Sequence, residues 1–383
     1  MADRMRIDPR RLSGPKRLAG VDLARGLAVL GMIAAHLLPL QPFDWAAPAT
    51  WGAVVEGRSS ILFAVLAGVS IAIVSGGTRP VTGSARSRAR RWLAIRAGML
   101  WLLGMLLVAT GVPVYVILPA YAVLFLLAMP LVGLGAGALL VLGGAGLLVM
   151  PWVQAALESL PSWDTRAGEA IAVAVGWAYP FPLWICFLLV GMGIGRLELR
   201  AASVQWTLLG AGVGTAMIGY GLGGLVAPTG EPVPTTYLEL ALSVQPHSGG
   251  LPEALGSAGF AVAVVALSLL VCRTPVRSIL WPLRATGSMP LTAYTAQIVV
   301  WAVWALLALG GTADLYGFRM LDPFWPITLG VVAGCTLWAL WIGRGPLETL
   351  LDTVTRVMLR RAAGAVTAPA GDPVRDGTRR AGR

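Results

Sequence analysis

Residues 17–36 read RLAGVDLARGLAVLGMIAAH, and Leu37–Leu40 carry the apolar run onward. As a helix, at about 1.5 Å and 100° per residue, this stretch puts Asp22 and His36 roughly 21 Å apart and within about 40° of one face. It is long enough to cross a bilayer, so one stripe carries ionisable groups at both membrane depths. Such groups are costly in hydrocarbon and usually face a bundle interior or a wet cavity.

The rest of the 383 residues agree with this start. Hydrophobic residues make up 57% and charged residues 12%, mean hydropathy is +0.76, and an ordinary soluble domain is about a quarter charged. A spanning helix needs about 20 mostly apolar residues. That rule predicts an all-α, polytopic transmembrane bundle of ten spans, at 19–40, 53–75, 92–111, 113–129, 131–150, 171–195, 203–226, 255–272, 286–309 and 324–343. Charge placement tests the count independently. With the N-terminus inside, 26 of the 29 Lys and Arg residues fall on the cytoplasmic side, and Arg58, Arg166 and Arg319 alone fall outside. The positive-inside rule therefore favours ten spans with both termini cytoplasmic. The net charge of +11 then reflects orientation and attraction to anionic lipid rather than nucleic-acid binding.

These patterns divide the chain into a basic cytosolic tail (1–18), a transmembrane domain (19–343), a cytosolic amphipathic segment (344–361) and a disordered tail (362–383). The basic N-terminus runs into the first span without a small-residue cleavage site, so it reads as a tail and not a signal peptide. Cys186, Cys272 and Cys335 lie in or beside spans with no metal-like spacing, and predict neither a disulfide framework nor a metal site. Glycine pairs (Gly133 and Gly137, Gly191 and Gly195, Gly210 and Gly214, Gly219 and Gly223) read as helix-packing contacts. A homo-oligomer is left open.

The outer polar residues carry the chemistry. The loop LPLQPFDWAAPATWGAVVEGRSS (38–60) holds Asp44, Glu56, Arg58, Ser59 and Ser60, and the longest outer loop, 227–254, contains QPHSGGLPE with His247. His36 and His247, the two histidines of the chain, are thus assigned to one side. Each is either a hydrogen-bonded or turn histidine, or a general base or acyl-accepting nucleophile, since imidazole changes charge near neutral pH. Arg58 either snorkels or anchors an anionic or sugar substrate. Gln297 either bonds between helices or lines a channel. Asp22 and Arg25 either pair at i, i+3, or Arg25 with Arg284 holds the phosphates of a nucleotide-bearing donor.

The run RLAGVDLARGLAVLGMIAAH, then Trp51-Gly52 and GRSSILFAVLAGVS, resembles the start of the heparan-α-glucosaminide N-acetyltransferase catalytic domain and its bacterial relatives. GSMPLTAYTAQ (287–297) and RGPLETLL (344–351) resemble the closing part of an uncharacterised bacterial multi-spanning family grouped with it. The resemblance implies a transmembrane acyltransferase of the plasma (inner) membrane. Cytosolic acyl-CoA, in the first instance acetyl-CoA, would donate to an amino sugar or an envelope glycan or lipid on the far side, without a metal. The heparan enzyme carries a catalytic histidine shortly before the Trp-Gly, and an asparagine where this chain has His36. Here the matching stretch is AAPATWG (46–52). The expectation is therefore His36 or His247 in the catalytic role, with Asp44, Glu56, Arg58, Ser59 and Gln297 toward the acceptor and Asp22, Arg25 and Arg284 structural or on the donor side. Two other readings use the same stripe: a transporter or flippase for a lipid-linked sugar or small anion, and a non-catalytic scaffold.

Overall fold

A computed structural model of the chain describes residues 14, 17–44, 46–226 and 236–367. The expected tail over 1–18 lies almost wholly outside these residues, and of the expected disordered tail over 362–383 only 362–367 lie within them, as helix. Helix accounts for every regular element among them. In chain order these are α1 (Ala19–Leu37), α2 (Arg58–Val74), α3 (Gly83–Val108), α4 (Leu118–Ala128), α5 (Ala136–Glu158), α6 (Arg166–Val175), α7 (Phe181–Gly195) and α8 (Ala202–Val226). Then follow α9 (Tyr237–Leu242), α10 (Leu251–Val271), α11 (Trp281–Ser288), α12 (Pro290–Leu309), α13 (Leu315–Arg319), α14 (Phe324–Trp341) and α15 (Pro346–Thr367).

Eight of these helical segments are long and apolar enough to cross a membrane, and the segments 118–131 and 181–195 are apolar but shorter. Each expected span thus has a helix, and the sixth needs correction. It is not one helix over 171–195. Gly176 adopts the left-handed conformation that closes α6, and α7 restarts behind Pro180 with Pro182 in its first turn. Glycine tolerates positive φ and proline disfavours helix in the residue before it, so Trp177–Tyr179 form a turn inside the apolar stretch. At the C-terminal end, α15 runs to Thr367, past the expected boundary at 361.

Burial sorts the helices by role. The windows in 19–37, 48–74 and 251–271 are about two thirds buried, whereas those of α3, α5, α8, α12 and α14 are one third buried or less. Among the described residues, α1, α2, α7 and α10 therefore form the centre. The outer helices turn Leu102, Leu106, Val141, Met217, Leu307 and Leu329 outward, where lipid is as good a solvent as the core.

Close approach at the centre depends on missing side chains. A Cβ on Gly191 would land on the Val65 carbonyl oxygen, and one on Gly195 would meet Val69 and Ala72, so this glycine pair packs α7 on α2. On α8 the expected pair Gly219 and Gly223 meets Gly256 and Val244, and the register differs only at the other pair. Gly210 and Gly214 face open space, while Gly212 and Gly219 abut Ala263 and Gly256 of α10. Near the start of α1, a Cβ on Gly26 would strike the Leu283 carbonyl, and one on Gly287 would strike the Asp22 carbonyl. Gly26, which follows Arg25 in the first run, and Gly287, which opens GSMPLTAYTAQ, are thus two sides of one crossing, between α1 and α11.

The last two motifs also meet. Glu348 at the start of α15 accepts from the Leu291 and Thr292 amides (2.8 and 3.1 Å) and from the Thr292 hydroxyl (2.5 Å). Those amides open α12 and have no intrahelical partner. Asp352, one turn on, pairs with Arg96 of α3 and with Arg344. Buried Arg196 donates to the carbonyls of Ala72, Ser75, Gly77 and Val132 and to the Ser75 hydroxyl, tying the ends of α2 and α7 to the turn after α4.

Candidate functional site

Two cavities open at opposite ends of α1. The one at its N-terminal end has a volume of about 810 Å³ and touches Leu18–Gly20; Arg17, Arg200, Arg273, Arg277 and Arg284 line it, with Gln205 and Trp281. The other, of about 660 Å³, touches Met32, Ala35 and His36. Fifteen residues of helix, roughly 22 Å, separate Gly20 from Ala35.

The second cavity brings both histidines together. His36 and His247 line it with Glu56, Ser59 and Ser60, and His247 is near enough for its charge to act on His36. His36 sits in the last turn of α1; its Nδ1 is buried without a hydrogen-bond partner, one of several such polar atoms among the described residues. His247 lies in the turn before α10 at a φ of 66°, its ring edge-on to Tyr179 at 6.4 Å. Although its outer edge stays open to the cavity, the protein packed around it lowers its pKa below the usual 6.5, because burial disfavours the charged form. Tyr179 donates its hydroxyl proton to the Tyr115 carbonyl (2.9 Å).

Other expected residues lie elsewhere. Asp44 serves a turn: its carboxylate accepts from the Ala46 amide, and its own amide donates to Thr50. Arg58 leaves the cavity to donate to the Tyr220 hydroxyl (2.6 Å), lying over that ring at 4.7 Å, and Tyr220 in turn meets Ser257. Gln297 is buried on α12 with no partner for its Nε2 and belongs to neither cavity. At the N-terminal end of α1, buried Asp22 holds Arg17 (2.6 Å) and Arg25 (3.2 Å), and Arg25 reaches Ser70 on α2 (2.7 Å). These two tie helices together, while Arg284 lines the basic cavity.

The structure adds residues that the sequence reading passed over. Arg319 enters the histidine-bearing cavity from α13 and donates to the His36 carbonyl (2.9 Å), with Glu56 near enough to act on its charge. Its signal was visible as one of three arginines outside the cytoplasmic segments. Trp177 and Tyr179 come from the α6–α7 break, and Trp177 stacks on Trp163 at 4.5 Å. Glu158 ends α5 in the cavity wall, hydrogen-bonded by Gln154. The whole wall therefore mixes two imidazoles, two carboxylates, a guanidinium and aromatic faces.

A family model described as heparan-alpha-glucosaminide N-acetyltransferase, catalytic, matches residues 17–221, more than half of the chain. The chain belongs to that family. A second model, described as a protein of unknown function (DUF418), matches residues 213–357, which hold the α1–α11 crossing partner Gly287 and the Glu348 cap. No curated protein matches the chain. Family membership and eight helices of spanning length make it a membrane protein of an acetyltransferase catalytic family.

Proposed function

We propose that this protein transfers an acyl group, typically acetyl, from cytosolic acyl-CoA to an amino sugar or an envelope glycan or lipid on the outer side of the plasma (inner) membrane. The observation that carries the proposal is the pair of cavities at the two ends of α1, one arginine-lined and one bearing both histidines. Arginine forks suit phosphate oxygens, which a CoA nucleotide supplies.

In the outer cavity His36 acts as general base, and His247 and Glu56 orient it or the acceptor. The acceptor amine attacks the thioester carbonyl as His36 takes its proton. Arg319 faces the negative charge that develops on the carbonyl oxygen. Collapse breaks the C–S bond, and the imidazolium returns the proton to the departing thiolate, leaving an amide and free CoA. Carboxylates and aromatic faces beside the histidines suit a cationic amino sugar. A transporter or flippase would use the same two cavities, and would move substrate without releasing thiol.

The test is free-thiol release from acetyl-CoA in proteoliposomes with candidate amino sugars. Removing a positioned general base costs about 10²- to 10⁴-fold, so His36→Ala should lose acceptor-dependent release by that factor, and His247→Ala should lose less. Undiminished release by both variants would remove the histidines from the mechanism.

A further inference from the structure

Glu253 lies in the first turn of α10 and is 5% exposed. A glutamate at this position ordinarily reaches back to the amide of the residue that caps its helix, here Gly250. The Gly250 amide instead donates to the Ser248 hydroxyl. The Glu253 carboxylate passes it by and accepts from the amides of His247 (2.9 Å) and Gly249 (2.8 Å). Both residues are left-handed, with φ of 66° and 68°. Glycine takes that conformation freely, whereas a histidine is held there against backbone strain. Gly57, before α2, closes the other side: a Cβ on it would sit 3.4 Å from the His247 amide nitrogen and 3.5 Å from Glu253 Oε1. The His247 backbone is thus gripped between a buried carboxylate and a glycine, and its ring is delivered to the cavity that His36 lines.

We propose that Glu253 is a positioning residue, whose carboxylate clamps the 247–249 backbone and so sets the place of the His247 imidazole opposite His36. The kinetic part of the test rests on the acyltransferase reading; the spectroscopic part does not. The chain has two histidines, so the His36→Ala protein, purified without a histidine tag and labelled with ¹³C-histidine, gives one imidazole signal, that of His247. Glu253→Gln replaces one acceptor oxygen by a donor, and Glu253→Asp keeps the charge but shortens the reach by a methylene. Each should displace and broaden that signal, in protein whose melting midpoint shows it folded. In the His36-containing protein, the same substitutions should lower kcat for thiol release about ten-fold while leaving KM for acetyl-CoA within about two-fold. An unchanged His247 signal in both variants overturns the proposal, as does a KM change without a kcat change. If the unsubstituted protein releases no thiol, the acyltransferase reading fails, and the His247 signal alone decides whether Glu253 is the clamp.

Discussion

Single side chains explain why the family motifs contain the residues they do. Glu348 satisfies two orphan amides at the start of α12, and hydrogen bonds to a charged group contribute roughly 1.5–3 kcal/mol each. Glu348→Ala should therefore lower unfolding free energy by about 2 kcal/mol or more, read as a lower thermal midpoint in detergent. His247 makes a pH-dependent contribution of known sign. Its folded pKa is below 6.5, so as pH falls below 6.5 the unfolded chain takes up a proton that the folded ring resists. The stability present above that pH should erode in acid, and His247→Ala should flatten that part of the midpoint-against-pH curve; an equally steep curve would place the effect elsewhere. At this scale the sequence was partly legible. His36, Glu56, Ser59 and His247 reach one cavity because the α1–α2 and α8–α10 connections meet there. Asp44 and Arg58 lie just as near His36 along the chain, yet Asp44 is spent on its own turn and Arg58 on Tyr220, a partner 162 residues away that no local pattern announces.

Among elements, the split between α6 and α7 matters most for the site. Hydropathy runs unbroken across 171–195, so a window that averages apolarity reads a single span. Gly176 followed by Pro180 and Pro182 carries the opposite message, and local backbone chemistry prevails over composition here. The break lets Trp177 and Tyr179 line the histidine-bearing cavity. Gly176 has a φ of 68°, and a Cβ on it would lie 2.5 Å from the Ala120 amide nitrogen. Gly176→Ala should thus cost about 1 kcal/mol for the backbone conformation alone, with more from the collision with α4. It should reduce acyl transfer, if that is the activity, more than alanine substitution at Gly144, which faces open space. Equal effects at the two glycines would contradict this account. The glycine ladders show a limit of a related kind: spacing predicts that small residues meet a neighbour, but only the packed bundle decides that Gly212, and not Gly210, is the one.

Across the whole molecule, apolar runs and arginine placement made the all-helical membrane architecture readable, because the bilayer constrains length and charge strongly. The basic cavity at the N-terminal end of α1 was much less legible: Arg17, Arg200 and the 273–284 segment with Arg273, Arg277 and Arg284 lie far apart in the chain, and each reads alone as an orientation signal. Assembled, they face the nearer end of the helix whose far end carries His36. Transfer across the membrane is therefore the central claim. The measurement that tests it most directly uses sealed vesicles of defined orientation, with ¹⁴C-acetyl-CoA confined to the arginine side and an amino sugar to the histidine side. The account predicts labelled acetyl-amino sugar on the histidine side with an equal amount of free thiol on the arginine side, both lost in His36→Ala. Label that appears only when donor and acceptor share a side, or acceptor that crosses without thiol release, would contradict it.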